Sequence, residues 1–268
     1  MQFLYDLPGW LMAVSVVASI VALSYAGYFA IHRLWRPAFT EDNQSVAMTV
    51  LTVIATINSL LLALVALSVW ESFGAAEEAV VQEANSVGEL ARDLAVFDSE
   101  QSRDARRMLR DYANMVVTME WRDMRRGNAS VDVWNAFDRM FLAVGQIEPD
   151  TPRRTVLLPE IWARTNELLK ERRTRLHTAA SQVPPTLWAV VLIGTALTIG
   201  STFVLSPTRF HVLMIGMLAI SIGLVFHLIV AMDRPFAGED SISPQPFQSA
   251  VDNMQRWDTD IAKTASER

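Results

Sequence analysis

Hydroxyl-bearing and other small side chains recur within a long stretch that carries no ionisable residue, residues 46–70. They follow one another at alternating steps of four and three residues, which keeps them on one face of a helix. Oxygen atoms on such a face can replace the water around an ion that crosses a membrane. A packing seam is the alternative, because small residues let helices approach closely in lipid. The residues predicted to line a pore are Thr49, Thr52, Thr56, Ser59, Ala63, Ala66 and Trp70.

Two adjacent acidic residues, Glu239 and Asp240, are the candidates for a cation site. Together with nearby carbonyl groups they could hold Ca²⁺, but two carboxylates are few for a calcium site, and a solvated turn is the alternative. The histidines are not spaced as metal ligands. His227 lies inside the last apolar run, and we expect a backbone carbonyl to satisfy its ring. The sequence therefore predicts no resident cofactor, with Ca²⁺ at Glu239 and Asp240 as the alternative.

Catalytic signatures are absent from the sequence. It has no P-loop, no glycine-rich dinucleotide fingerprint, no His-Glu-x-x-His and no nucleophile elbow. With no cysteine, it has no thiolate nucleophile or thiolate metal site. A net charge of -6 argues against binding to nucleic acid, which calls for a basic face. We therefore expect a protein that is not an enzyme.

Four uncharged or nearly uncharged runs are long enough to cross a membrane as helices, since a span needs about 20 apolar residues. They cover about residues 8–31, 46–70, 186–205 and 211–232. The predicted organisation is a first transmembrane pair (1–70), a cytoplasmic helical domain (71–183), a transmembrane hairpin (184–232) and a cytoplasmic tail (233–268). More Lys and Arg residues flank the spans on the side of the polar middle, which predicts that this middle and both termini are cytoplasmic.

The polar middle shows helical periodicity throughout, so the predicted fold class is all-α. The second span is expected to continue into the polar middle as a helix with one apolar stripe. Three further helices are expected: one capped near Ser99, one over 131–147 and one starting near Pro159. Glu160–Arg164 and Glu171–Arg175 have the spacing of surface ion pairs. The predicted inner faces of the first two helices are Val80, Ala84, Val87, Ala91 and Leu94, then Ala105, Leu109, Tyr112, Val116 and Met119.

The tail begins with a turn that we predict folds it back onto the cytoplasmic helices. Proline ends the last span, and glycine permits a sharp reversal. Ser243 then caps a helix whose apolar stripe must bury itself. The predicted docking turn comprises Asp233, Arg234, Pro235, Phe236 and Gly238, and the stripe comprises Phe247, Val251, Met254 and Ile261.

Four segments together resemble the bacterial bestrophin-like domain family: "VQEANSVGELAR" after the second span, "RRTRL" before the third, "VPPTLWAVVLIG" opening it, and "MDRPFAGEDSISPQPFQ" after the fourth. The resemblance covers most of the chain. It implies a distant relation to bestrophins, which are pentameric anion channels whose second membrane helix lines the pore. It also implies a protein of the bacterial inner membrane.

Bestrophins also have a Pro-Phe turn leading to an acidic calcium-binding segment, to which Pro235, Phe236, Glu239 and Asp240 would correspond. The chain departs from that pattern in two places. Its acidic run is reduced to two residues. Its second span presents hydroxyl groups and alanine where bestrophins narrow the pore with bulky apolar side chains, and only Leu60 to Leu62, Leu64 and Leu67 lie nearby.

The expected function is a passive ion channel formed by a homo-oligomer in the lipid bilayer, and the resemblance implies a pentamer. The permeant species would be a small inorganic ion, an anion by resemblance, although the uncharged pore face leaves its sign open. The alternative is a non-conducting membrane scaffold or sensor that binds a cytoplasmic partner through its helical domain.

Overall fold

The computed structural model describes the backbone of residues 2–34 and 41–266 and the side chains of residues 4–34 and 45–260. This part of the chain contains helices and no β-strand, as the predicted all-α class requires. The α-helices are α1 (Gln2–Tyr5), α2 (Gly9–Leu34), α3 (Glu41–Phe97), α4 (Glu100–Met115), α5 (Trp121–Met124), α6 (Val131–Gly145), α7 (Pro152–Ala180), α8 (Pro185–Ser201), α9 (Arg209–Met232) and α10 (Gln245–Ser266). A π-helical turn, Val116–Glu120, joins α4 to α5, and a 3₁₀ turn, Thr202–Val204, follows α8.

Four helical stretches are long and apolar enough to span a membrane: Gly9–Leu34, Ser45–Phe97, Pro152–Val204 and Arg209–Met232. The second and third are far longer than the roughly 20 residues that a span requires, so each also carries a polar extension. The second belongs to the single uninterrupted helix α3, as the lack of a helix break after Trp70 predicts. The chain is a multi-pass membrane protein.

The chain divides into two compact units. The membrane unit comprises residues 1–73, 182–234 and 238–240, and the helical unit comprises residues 74–181, 235–237 and 241–268. In the membrane unit, α9 packs mainly along α2, although only residues 205–208 separate it from the end of the preceding 3₁₀ turn. Glycine permits that contact, because a Cβ atom on Gly223 would lie 3.0 Å from the Cα atom of Val17. A buried apolar cluster in this unit is formed by Leu62, Val65, Val69, Val191, Ile222, Phe226 and Ile229.

In the helical unit, the predicted apolar stripe of α3 is buried, from Val80 to Leu94. Helix α4 begins where its cap predicts: Ser99 accepts a hydrogen bond from the Ser102 N–H group at 3.1 Å, and Ser102 Oγ accepts one from the Ser99 N–H group at 2.9 Å. Such a reciprocal capping box satisfies two amide groups that a helix terminus leaves free. Gly127, with φ at 78°, follows the end of α5.

The predicted start of α7 near Pro159 is wrong. Thr151 is the N-cap and Pro152 the first helical residue, so Pro159 lies inside the helix. The Thr-Pro pair at 151–152 is itself a favourable start for a helix. An interior proline removes one backbone hydrogen bond, and burial of the same helix at Ile161 and Leu168 offsets that loss.

Candidate functional site

The part of α3 within the membrane unit has three distinct faces. One is buried against the other helices through Asn58, Leu62, Val65 and Val69. Since successive residues on a helix are rotated by roughly 100°, the stripe predicted to line a pore lies about 120° around from this buried face. A third face carries large aliphatic side chains. That third face, Val53, Ile57, Leu60, Leu64 and Leu67, is exposed in the single chain.

The predicted pore stripe is largely uncovered by the chain's own helices. Thr49, Thr52, Thr56, Ser59 and Ala63 are exposed, and Ala66 is partly buried. Trp70, at the end of the stripe, is 59% exposed. The stripe is therefore available either to a pore or to a neighbouring helix.

Every hydroxyl group of the stripe donates its proton to a carbonyl oxygen of its own helix. Thr49 donates to Ser45 at 3.1 Å and Thr52 to Met48 at 2.8 Å. Thr56 donates to Thr52 at 2.7 Å, and Ser59 to Thr56 at 2.8 Å. A hydroxyl group has one proton and two lone pairs. In this arrangement the stripe presents hydrogen-bond acceptors, and its protons are already used.

Part of the stripe borders a groove of about 490 Å³ within the membrane unit. Thr52, Thr56 and Ser59 form one wall, and Thr198 of α8 contributes a further hydroxyl group. Asn58 also lines this groove and is only 3% exposed. We predict from the sequence that Asn58 bonds a neighbouring helix. Instead its amide packs on Gly194 of α8, and its Oδ1 atom has no hydrogen-bond partner among the described residues.

His227 of α9 also differs from the expectation. Its ring is partly buried, and its Nδ1 atom has no hydrogen-bond partner in the part of the chain that the structure describes. The predicted backbone carbonyl is therefore not found there.

The first residues of the predicted docking turn make contacts within the membrane unit. Asp233 accepts a hydrogen bond from the Val183 N–H group at 2.7 Å, just before α8 begins. The guanidinium group of Arg234 lies over the ring of Tyr5, 5.4 Å from its centroid. Gly238 has φ at 92°, a left-handed conformation that favours glycine.

The two residues of the candidate cation site lie at the N-terminus of α2. The Oε2 atom of Glu239 accepts a hydrogen bond from the Gly9 N–H group at 2.5 Å, and the Asp240 carboxylate lies close to the same glycine. Carboxylates at this end of a helix are stabilised by its dipole and by its free N–H groups. Over the described side chains, no group of three acidic, histidine or cysteine residues converges as in a metal site. A cation site at Glu239 and Asp240 stays a prediction, and capping of α2 is what these contacts provide.

Within the helical unit, Phe236 and α10 are held by one tryptophan. The ring of Trp121 lies 5.5 Å from that of Phe236 and 5.9 Å from that of Phe247, both in edge-to-face contact. The Trp121 Nε1–H group donates to the Ile242 carbonyl at 3.0 Å. Phe247, Val251 and Met254 of the predicted tail stripe are buried, whereas the side chain of Ile261 lies outside the described residues.

A buried network of charges next to Trp121 was not foreseen from the sequence. Glu120 accepts two hydrogen bonds from Arg172, of 2.7 and 2.8 Å, and one from Arg175, of 2.6 Å. Arg175 also bonds Glu83 at 2.6 Å, and Tyr112 donates its hydroxyl proton to Glu83. All four charged side chains are fully buried. The charges of the two arginines and the two glutamates cancel, and this pairing offsets the free energy of desolvation that burying each charge costs.

The aromatic rings and the neutral tyrosine complete this network. Arg172 lies 4.5 Å from the ring centroid of Trp134, and Arg175 lies 5.7 Å from that of Trp121, both in cation–π geometry. Burial by itself raises the pKa of the Glu120 carboxyl, but the two guanidinium groups outweigh burial and lower it below its usual value. Burial, reinforced by the Glu83 carboxylate, raises the pKa of Tyr112 well above the usual value. At neutral pH, Glu120 is therefore ionised and Tyr112 remains a hydrogen-bond donor.

Two features explain why sequence reasoning missed this network. The predicted i,i+4 surface pair between Glu171 and Arg175 is wrong, because Arg175 points into the interior and Glu171 instead bonds Lys170 at 3.1 Å. The π-helical turn adds a residue to one turn, so Glu120 is buried where the regular pattern places Met119. One signal was available: the arginines continue the steps of four and three of the buried face Ile161, Thr165, Leu168, Arg172 and Arg175.

Comparisons with known proteins agree with this architecture. The model of the bestrophin-like domain family matches residues 18–247. A crystal structure of a bacterial bestrophin homologue from Klebsiella pneumoniae superposes with a TM-score of 0.59 at 13% identity and covers 91% of this chain and 96% of that one. A second crystal structure, of a membrane protein, superposes with a TM-score of 0.62 at 11% identity and with the same coverage. The comparison with curated proteins gives no match.

At these identities the solved structures establish the fold alone. The family match is broader evidence, because it covers most of the chain and includes the second span, the arginines of the buried network and the tail turn. The chain is therefore a member of the bestrophin-like domain family.

Proposed function

We propose that the chain is one subunit of a homo-oligomeric membrane channel for small inorganic ions, with the pore stripe of α3 facing the conduction pathway. The observation that carries this proposal is the polar stripe itself: Thr49, Thr52, Thr56 and Ser59 lie along one face of a membrane helix and are exposed in the single chain. Membership of the bestrophin-like family supports a channel of this architecture. The resemblance to bestrophins suggests a pentamer in the bacterial inner membrane, and the excess of Lys and Arg beside the polar middle suggests cytoplasmic termini.

The hydrogen bonding of the stripe favours cations as the permeant ions. An anion must be solvated by donors, whereas a cation is solvated by lone pairs on oxygen. The protons of Thr49, Thr52, Thr56 and Ser59 are donated to their own helix, which leaves lone pairs to face a passing ion. The proposal therefore differs in ion sign from the anion expected by resemblance.

A non-conducting scaffold is the second candidate, and the same bonds favour it. Hydroxyl groups that are satisfied within their helix can lie in a dry interface between subunits. In that case α3 would serve assembly, and the helical unit would present the surface that binds a partner.

Cysteine accessibility separates these candidates, because the chain has no cysteine of its own. Single substitutions Thr52→Cys and Thr56→Cys should react with a membrane-impermeant thiol reagent. The matched controls are Val53→Cys and Ile57→Cys, which are exposed on the aliphatic face of the same helix and should react far more slowly. Equal, slow labelling at all four positions would support the scaffold.

Ion flux into liposomes then tests conduction and its sign. We expect sodium and potassium gradients to drive passive flux that empty vesicles lack, with chloride flux much smaller. Replacing Thr52 and Thr56 together with leucine should reduce the flux. Chloride flux alone would overturn the assigned sign, and unchanged flux in the double variant would overturn the assigned pore face.

A further inference from the structure

Four arginines of α4 form a single basic face in the helical unit, separate from the buried network. Their spacing of three, one and three residues places them on adjacent turns of one side of the helix. They border a surface depression of about 530 Å³. Four positive groups face three negative ones there, in a chain whose overall charge is -6. The depression is lined by Arg103, Arg106, Arg107, Arg110, Glu100, Asp104 and Asp258.

A carboxylate of the chain already occupies the inner end of this depression. Asp258 of α10 is bonded by both Arg106 and Arg110. Arg106 also donates from Nε to the carbonyl of Ala91 at 2.9 Å, and its side chain is only 10% exposed. This inner arginine pair is therefore arranged to hold an oxyanion.

The resident carboxylate does not satisfy the donors of that pair. The Nη2 atom of Arg106 and the Nε atom of Arg110 are buried and have no hydrogen-bond partner within the described residues. Buried donors of a charged group are costly to leave unpaired. A carboxylate has two oxygens to offer, whereas a phosphate group offers three to a guanidinium pair in the bidentate geometry that arginine favours.

The outer pair of arginines is held only by exposed surface contacts. Arg103 pairs with Asp98 at 2.9 Å, and Arg107 pairs with Asp104. The side chains of Arg103 and Arg107 are 63% and 73% exposed. Surface ion pairs of this kind contribute little and exchange readily. Both guanidinium groups can therefore turn to a ligand with a higher charge density.

We propose that this depression is a binding site for an oligophosphate, in which one phosphate group replaces Asp258 on Arg106 and Arg110 and a second is held by Arg103 and Arg107. The ligand must be elongated, because Arg103 and Arg110 are about 10 Å apart along the helix axis at 1.5 Å per residue. A single phosphate ion cannot contact both ends. A free diphosphate or longer phosphate ester, or a phosphorylated lipid headgroup, offers this chemistry.

Titration calorimetry with inorganic pyrophosphate on the full-length protein in detergent tests the site. We expect saturable binding that Arg107→Gln and Arg110→Gln each weaken by about tenfold or more, since each removes a charge-assisted contact. Asp258→Asn should tighten binding because it removes the competing charge. Arg139→Gln, an exposed arginine on α6 outside the depression, is the matched control and should leave binding unchanged.

Thermal melting of each variant separates loss of the site from loss of the fold, and Arg107 is exposed enough for its substitution to be tolerated.

Repeating the titration in nanodiscs distinguishes the two sources of phosphate. Weaker pyrophosphate binding in discs of anionic lipid than in zwitterionic discs would assign the site to headgroups, and equal binding would assign it to a free ligand. Absence of binding, or binding indifferent to Arg107, Arg110 and Asp258, would overturn the proposal.

Discussion

Replacing Glu120 with glutamine should strongly destabilise the helical unit. The substitution keeps the size of the side chain but removes one negative charge from a buried set of two arginines and two glutamates, leaving a net positive charge. Glu120 accepts three hydrogen bonds from Arg172 and Arg175, and both arginines are completely buried. Breaking a buried, hydrogen-bonded pair from one side costs about 3–5 kcal/mol.

Thermal melting of the purified protein in detergent measures this cost. A change of 1 kcal/mol shifts the midpoint by about 2–4 °C in a protein of this size class, so we expect a decrease of roughly 6–20 °C. The matched control is Glu167→Gln, which removes an exposed carboxylate bonded to Arg164 at 3.0 Å and should leave the midpoint nearly unchanged. A melting temperature of Glu120→Gln equal to that of the control would refute the assignment of Glu120 as the charge that compensates both arginines.

A second substitution tests whether charge balance is the cause. Arg172→Gln alone leaves the network with a net negative charge, whereas Arg172→Gln combined with Glu120→Gln restores neutrality through Arg175 and Glu83. The double variant should therefore lose less stability than the two single variants together, which is the signature of coupled residues. Additive losses would show that packing, and not charge, dominates at this position.

The pH dependence of stability has a definite sign. The pKa of Glu120 is lowered in the folded protein, where the two guanidinium groups outweigh burial. The stabilisation from this carboxylate is therefore complete above the usual glutamate pKa and is lost as the pH falls through the lower folded value. The wild-type protein should lose melting temperature in this acidic range more steeply than Glu120→Gln. Identical slopes would contradict the predicted ionisation.

Two further substitutions test packing on tertiary contacts. Gly194→Ala should lower the melting temperature because the added Cβ atom would overlap the amide of Asn58. Gly200→Ala on the same helix has open space and should have little effect. Equal effects of the two substitutions would contradict the close approach of α3 and α8. Phe247→Ala should lower the free energy of unfolding by about 3–5 kcal/mol, as for other buried phenylalanines, and should speed proteolysis of the tail. Exposed Gln248→Ala is its control. A tail that stays undigested in Phe247→Ala would show that the aromatic contact does not hold it.

The sequence by itself determined the four spans, the all-helical class and several helix ends. These features depend on local physics: the length of an apolar run, the period of a stripe, and the hydrogen bond that Ser99 offers to the first turn of a helix. The apolar face of α3 in the helical unit was predictable for the same reason.

Only the tertiary structure decided which residues meet across the chain. The spacing of Arg172 and Arg175 continues the buried face of α7, but their burial depends on acidic partners that are 52 to 92 positions away in the sequence. The burial of Glu120 depends on a π-helical turn that shifts the helical register by one residue. A local spacing can place an arginine on a buried face, but it carries no trace of which distant carboxylate pairs with it, which is why a pattern of spacings predicts helices more readily than it predicts the charges that meet between them.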